Sequence, residues 1–209
     1  MQTERKHTAV IFDLDGTLLD SVDDIADAMN ETLAARGFPT HAPADYRALV
    51  GDGARVLATR VLPEAERSTA AIDELLRDFR VRYGEGLTRK TEPYPGVPEL
   101  LDALTLCGLK LGVLSNKPDN LTRRSVDELL GKWKFAVVLG QRDGVPLKPE
   151  PEAALTAAEM MGLEPAAIVF VGDSPVDIHT ALGAGMLPVG VSWGLKAVDE
   201  LRAAGAATI

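Results

Sequence analysis

The chain has 209 residues, of which 46% are apolar, enough for one ordinary domain with a sizeable core, or one domain and a small insert. Its formal net charge of −9 argues against nucleic acid as a partner, because phosphate backbones select basic surfaces. A single cysteine excludes an intrachain disulfide, and no apolar run approaches the roughly 20 residues that a membrane span needs. The polar first residues contain no signal-peptide stretch, so we expect a cytoplasmic protein.

Short apolar runs along the chain are typical of strands that are buried on both faces of a parallel sheet. The predicted strands are residues 9–12, 109–114, 135–139, 168–171 and 187–191. Helical patterns with clear start and stop signals separate the later strands. This alternation of strand and helix predicts an α/β fold, with a Rossmann-like five-stranded parallel sheet as its core.

The stretch between the first and second predicted strands breaks this alternation, because it carries only helical patterns. A crossover between parallel strands needs only about a dozen residues. The excess therefore predicts an inserted all-helical domain. We predict an α/β core over residues 1–18 and 91–209, and a helical cap over residues 19–90.

Polar and charged side chains follow four of the predicted strands. They are Asp13, Asp15, Ser115-Asn116-Lys117, Lys148, Asp173 and Asp177. A single Asp or Ser at a strand end is a common structural cap. In an open α/β sheet, however, ligands bind at the carboxyl ends of the strands. The repetition at four strand ends therefore predicts a functional site at that edge.

The spacing of Asp13 and Asp15 indicates acid–base and nucleophilic chemistry. Residues two apart in an extended chain point the same way, so both carboxylates reach one site. Their repulsion separates their pKa values, and one carboxylate can attack while the other carries a proton. Asp173 completes an oxygen-rich site that suits Mg²⁺. Lys148 and Ser115 are suited to hold the oxygens of a phosphoryl group.

Four motifs in order resemble the signature of the haloacid dehalogenase superfamily, over nearly the whole chain. The motifs are residues 13–18, 115–117, 148–149 and 172–177. The resemblance implies a helical cap that closes over small substrates after the first motif. It also implies hydrolysis of a phosphate ester through a phospho-aspartate intermediate.

The same resemblance implies a role for each site residue. Asp13 is the nucleophile, and Asp15 is the general acid and later the base. Mg²⁺ binds the Asp13 side chain, the Asp15 main-chain carbonyl and the Asp173 side chain. Asp177 supports these groups without binding the ion itself. The predicted phosphate-binding residues are Thr17, Ser115, Asn116 and Lys148.

Residues in the first motif and in the insert separate the branches of this superfamily. Asp15 argues against the dehalogenase branch, which lacks an acid there, and the absence of lysine from residues 18–89 argues against the phosphonate-cleaving branch. The segment Val50–Leu57 resembles the substrate loop of phosphoglycolate phosphatases. Its predicted substrate contacts are Gly51, Asp52, Gly53 and Arg55. A simple glycine-rich turn before a helix is the alternative interpretation.

The predicted activity is Mg²⁺-dependent hydrolysis of a small phosphorylated metabolite, with phosphoglycolate as the leading candidate. A β-phosphoglucomutase-like mutase and a non-catalytic sensor of phosphorylated ligands are the alternatives. We expect a monomer or homodimer that binds neither nucleic acid nor membranes. Arg77, Arg80 and Arg82 are interpreted as a solvated helix face, because they alternate with acidic residues.

Overall fold

The computed structural model of the chain describes residues 7–209. In this range the strands are β1 (Ala9–Phe12), β2 (Leu19–Asp20), β3 (Glu92–Pro93), β4 (Lys110–Pro118), β5 (Phe135–Gln141), β6 (Ile168–Gly172) and β7 (Leu187–Gly190). The α-helices are α1 (Val22–Ala35), α2 (Tyr46–Leu49), α3 (Ala54–Val61), α4 (Thr69–Gly86), α5 (Val97–Leu106), α6 (Asp119–Leu130), α7 (Glu152–Met161), α8 (Pro175–Ala184) and α9 (Val198–Ala203). Five strands pair in parallel in the order β5-β4-β1-β6-β7. The predicted five-stranded α/β fold is confirmed.

Strand β1 lies at the centre of the sheet and is buried on both faces. Ala9 and Ile11 pack into the core that α7 and α8 cover, whereas Val10 and Phe12 pack into the core beneath α5 and α6. Alternate residues of a strand point to opposite faces, which explains why this strand is apolar throughout. The packing on both sides fixes the position of Asp13, which directly follows the strand.

Strand β4 is longer than the sequence predicted. The apolar run ends at Leu114, but the strand continues to Pro118. Its register with β5 shifts between Leu114 and Pro118, so residues 115–117 lie in an irregular part of the strand. Such irregularities redirect side chains and often occur beside functional sites.

Helices α1–α4 share a separate hydrophobic core, which includes Met29, Tyr46 and Leu75. Where the chain enters and leaves this region, β2 and β3 form a short antiparallel pair. The sequence predicted no strand here, because two residues are too few to show a periodicity. The separate core supports the proposed division at residues 19 and 91, which stays a prediction. Residues 1–6 of the predicted α/β core lie outside the described range.

The buried Asp24 ties the start of this helical region to its end. Its carboxylate accepts hydrogen bonds from the backbone N–H groups of Lys90 and Thr91, and from the Thr91 hydroxyl at 2.6 Å. Charge-assisted bonds of this kind are among the stronger ones in proteins. They hold the two connections to the α/β core side by side.

Candidate active site

One cavity brings together residues from the carboxyl edge of the sheet and residues from the helical region. Most of the predicted catalytic and phosphate-binding residues lie there. The lining residues from the sheet side are Asp13, Asp15, Ser115, Asn116, Lys117, Pro118, Leu121 and Lys148. Those from the helical region are Ile25, Val50, Gly51, Gly53, Ala54, Leu57, Phe79, Arg80 and Tyr83. The predicted convergence of separate strand ends on one edge is therefore present.

The Asp13 carboxylate lies beside the ammonium group of Lys148. The distance between Lys148 Nζ and Asp13 Oδ1 is 2.8 Å, and the same Nζ lies 2.6 Å from Asp177 Oδ1. Lys148 Nζ also donates to the carbonyl oxygen of Leu114 at 3.1 Å. All three residues of the ionic group are buried, so these contacts hold Lys148 in one orientation beside Asp13.

The side chain of Asn116 holds the backbone of Lys148. Its Oδ1 accepts from the Lys148 N–H at 2.9 Å, and its Nδ2 donates to the Lys148 carbonyl at 3.0 Å. Both polar atoms of the Asn116 side chain are therefore bonded to the Lys148 backbone, and they position the lysine. The role of Asn116 as a phosphate-binding residue stays a prediction.

Asp173 is held from two sides. Its Oδ1 accepts from the Thr17 hydroxyl at 3.3 Å, and its Oδ2 accepts from the Leu195 N–H at 2.7 Å. Thr17 does not line the cavity, and its predicted part in phosphate binding stays a prediction. A Cβ on Gly16 would lie 2.5 Å from Asp173 Oδ2, and the positive φ of Gly16 also favours glycine. The close approach of the first motif to Asp173 thus depends on that glycine.

The carboxylates of Asp13, Asp173 and Asp177 form a buried cluster, with one oxygen from each lying within 4.8 Å of the others. Both oxygens of Asp177 already have partners, since Oδ1 faces Lys148 and Oδ2 accepts from the Ser174 N–H and hydroxyl. Asp173 also has a donor on each oxygen, but both of those donors are neutral. The assignment of the ion to Asp13 and Asp173, with Asp177 in support, stays a prediction.

The electrostatics of this cluster favour a divalent cation. Burial raises the pKa of Asp13 to about 8, and the nearby acidic residues add to the effect while Lys148 opposes it. Burial likewise raises the pKa of Asp173 to about 7, with Asp177 adding to the effect. Within the cluster, three carboxylates face one ammonium group, that of Lys148, which is an excess of two negative charges. Oxygen donors with this charge fit Mg²⁺.

Asp15 lies in the same cavity but has different partners from Asp13. Its Oδ1 accepts from the Ser21 hydroxyl at 2.7 Å and from Lys117 Nζ at 3.0 Å. Lys117 Nζ also donates to the Tyr83 hydroxyl oxygen at 2.7 Å. The two carboxylates therefore face different cations, which suits different roles in one reaction.

The predicted substrate loop is only partly in the cavity. Gly51 and Gly53 line it, but Asp52 and Arg55 do not. Asp52 forms a 2.6 Å ion pair with Arg60, and Arg55 forms an ion pair with Asp73 at the surface. Both side chains bind other residues of the helical region, and their predicted substrate contacts stay a prediction.

Sequence reasoning gave no individual role to three cavity residues that carry polar groups, namely Arg80, Tyr83 and Lys117. Arg80 is exposed, as expected of a solvated helix face, but it also lines the cavity. The available signal was helical spacing, since Arg80 lies three residues before the buried Tyr83 on α4. Lys117 was visible as the third residue of the second motif.

Comparison with known proteins identifies the family. A family model described as haloacid dehalogenase-like hydrolase matches residues 10–191. A phosphoglycolate phosphatase of Xylella fastidiosa is 38% identical over 91% of this chain and 82% of its own length. One of Aquifex aeolicus is 36% identical over 88% and 84%. A crystal structure from Lactobacillus delbrueckii subsp. bulgaricus matches with a TM-score of 0.90 and 30% identity, over 98% of this chain and 94% of that one.

The chain therefore belongs to the haloacid dehalogenase-like hydrolase family. It is an enzyme, and within that family it is a hydrolase of the phosphoric monoester type.

Proposed function

We propose that the protein hydrolyses a small phosphate monoester in a Mg²⁺-dependent reaction through a phospho-aspartate on Asp13, with 2-phosphoglycolate as the leading candidate substrate. The observation that carries this proposal is the buried Asp13 beside Lys148, with Asp15 two residues away in the same cavity. The names of the relatives support the choice of 2-phosphoglycolate.

In the first step, an oxygen of Asp13 attacks phosphorus, and the bond between phosphorus and the ester oxygen breaks. Asp15 donates its proton to the departing alkoxide. In the second step, Asp15 takes a proton from water, and that water attacks phosphorus and releases inorganic phosphate. The bond between phosphorus and the Asp13 oxygen breaks in this step. Asp13 is then a free carboxylate again, and Asp15 again carries the proton that it donates in the next cycle.

Lys148 and Ser115 hold the phosphoryl oxygens during both steps. Both side chains are buried and line the cavity, and the bonds from Asn116 fix the position of Lys148 before substrate binds. Preorganised donors of this kind stabilise charge that develops in the transition state. We therefore assign Asn116 the role of positioning Lys148.

The Asp13 and Asp173 side chains would hold Mg²⁺, together with the main-chain carbonyl of Asp15, and Thr17 and Asp177 would orient that set. When bound, the ion reduces the repulsion between an anionic nucleophile and a dianionic phosphate. The raised pKa values of Asp13 and Asp173 support this assignment, because they mark buried carboxylates whose ionised forms a cation would stabilise.

The helical region would act as a cap that encloses the substrate. Its side of the cavity carries mainly apolar side chains, together with the backbone of Gly51 and Gly53. Exclusion of water strengthens the electrostatic interactions within a site.

Among the described helices, none is both long and apolar enough to cross a bilayer. A cytoplasmic location and a monomeric or dimeric state stay predictions.

The test is phosphate release from a panel of esters in Mg²⁺, including 2-phosphoglycolate, sugar phosphates, nucleotides and pyrophosphate. We expect a marked preference for 2-phosphoglycolate and complete loss of turnover in excess chelator, with recovery when Mg²⁺ is restored. Undiminished activity in chelator would remove the metal from the mechanism.

Conversion of β-glucose 1-phosphate to the 6-phosphate without phosphate release would identify a mutase. Tight binding of phosphate without any turnover would identify a sensor.

A further inference from the structure

The buried cation Lys117 has no part in the mechanism given above, yet it lines the same cavity as Asp13 and Asp15. Its side chain is 3% exposed. An ammonium group carries three N–H donors. Two of them have partners, in Asp15 and in the Tyr83 hydroxyl oxygen, and the third has no oxygen partner within the described part of the chain. Lys117 therefore has a donor to offer a ligand.

The surroundings of Lys117 keep it charged. Burial by itself would lower the pKa of the ammonium group, but Asp15 and Tyr83 outweigh burial and raise it. Burial also raises the pKa of Tyr83, so its hydroxyl is neutral and accepts from the lysine. A charged, hydrogen-bonded lysine in an enclosed cavity interacts strongly with an anion, because water screens it little.

The position of Lys117 indicates which part of a substrate it would meet. On the proposed function, the ester oxygen of the substrate lies beside Asp15, and Lys117 Nζ is 3.0 Å from Asp15 Oδ1. In 2-phosphoglycolate the carboxyl carbon is two bonds from that ester oxygen, so it must lie close to the same place. The neighbouring cavity wall is apolar and includes Ile25 and Leu121, which leaves few other polar partners.

We propose that Lys117 binds a carboxylate on the leaving group, and so selects small phosphate esters that carry an anion one carbon away from the ester oxygen. Tyr83 acts as a positioning residue, because its hydroxyl holds Lys117 from the cap side. This inference rests on the proposed function. It adds the residue that sets the choice of leaving group.

Arg80 is the competing cation. It also lines the cavity, but its side chain is exposed and it lines a neighbouring surface groove as well. An exposed guanidinium is screened by water and binds a small anion more weakly than an enclosed ammonium group. The buried Lys117 is therefore favoured as the selective contact.

The test compares 2-phosphoglycolate with ethyl phosphate, which has a methyl group in place of the carboxylate. We expect Lys117→Met to lower kcat/KM for 2-phosphoglycolate by about 10- to 150-fold more than for ethyl phosphate, as for loss of a hydrogen bond to a charged group. Lys132→Met, a surface change of the same kind, should leave the ratio unchanged. Equal losses for both esters in the Lys117 variant would overturn the proposal.

A binding measurement separates this proposal from the proposed function. The Asp13→Asn variant, titrated calorimetrically with each ester, should bind 2-phosphoglycolate more tightly than ethyl phosphate, and adding Lys117→Met should remove that difference. If the wild type hydrolyses no ester, the proposed function fails, but this titration still decides the role of Lys117. Equal binding of both esters by Asp13→Asn would overturn it.

Two further variants distinguish selectivity from general damage. Tyr83→Phe should raise KM several-fold more for 2-phosphoglycolate than for ethyl phosphate, whereas a merely structural role would change both alike. Arg80→Gln should preserve most of the preference. If Arg80→Gln abolishes the preference and Lys117→Met does not, the carboxylate binds at Arg80 and the proposal is wrong.

Discussion

The cavity contains two aspartate–lysine pairs, Asp13–Lys148 and Asp15–Lys117, and they differ in the other groups that each lysine contacts. Lys148 lies between Asp13 and Asp177 and donates to the Leu114 carbonyl, so all of its partners belong to the α/β core. Lys117 has one partner in the core, Asp15, and one in the helical region, Tyr83. The first pair therefore lies wholly within the core, whereas the second joins the core to the helical region. This difference suggests that the core sets the chemistry and the helical region sets the choice of substrate.

The largest expected effect comes from the aspartates themselves. Asp13→Asn should retain the fold and lower kcat by about 10⁴-fold or more, because the nucleophile is lost. Asp15→Asn should lower kcat by about 10²- to 10⁴-fold for an alkyl ester, the usual range for a general acid. Its loss should be smaller for p-nitrophenyl phosphate, whose leaving group needs no proton. Steady-state kinetics with both esters measure this, and normal turnover by Asp13→Asn would disprove the nucleophile assignment.

The next effect separates the two lysines. Lys148→Met should lower kcat by about 10²- to 10³-fold for every ester, because it removes a donor to the phosphoryl group. It should also lower the free energy of unfolding by about 3–5 kcal/mol, since Asp13 and Asp177 lose a buried partner. Urea unfolding at neutral pH without added metal measures the second effect. Lys132→Met is the control, because its exposed ion pair with Asp102 should contribute only about 0–1 kcal/mol.

A smaller effect tests how Lys148 is positioned. Asn116→Ala removes both hydrogen bonds to the Lys148 backbone, and it should lower the free energy of unfolding by about 1–3 kcal/mol. We expect a loss of activity that is similar for 2-phosphoglycolate and ethyl phosphate. The exposed Asn120→Ala is the matched control and should be neutral. Loss of phosphate binding with no change in stability would instead support the predicted role of Asn116 as a phosphate ligand.

The smallest effect is expected from the surface of the cap. Arg55→Gln should change kcat/KM by less than about twofold, because Arg55 lies outside the cavity and its ion pair with Asp73 is exposed. The same kinetic assay, run beside Arg80→Gln, measures this. A loss above about tenfold in Arg55→Gln would restore the predicted substrate contact.

The positions of the first two core motifs were predictable from the apolar runs that precede them. The carboxyl ends of parallel strands meet at one edge, so the placement of Asp13 and Ser115 could be inferred from apolar runs alone. The contacts of Asn116 could not, since they depend on the irregular end of β4. The contacts of the helical region were harder still to predict. Whether Arg55 or Arg80 lines the cavity depends on how the helices sit over the sheet, and periodicity shows only which side of a helix is buried.

The central position of β1 has a consequence for how the protein is made. Ala9 pairs with Lys110 on one side and with Ile168 on the other. The first strand of the chain can therefore form its pairings only with two segments that are distant in sequence. Contacts of such long sequence separation slow folding. During synthesis, β1 cannot be flanked on both sides before β6 has left the ribosome, and Asp173 follows that strand directly. Asp13, the proposed nucleophile, is therefore translated early and becomes part of a complete site only when most of the chain has emerged.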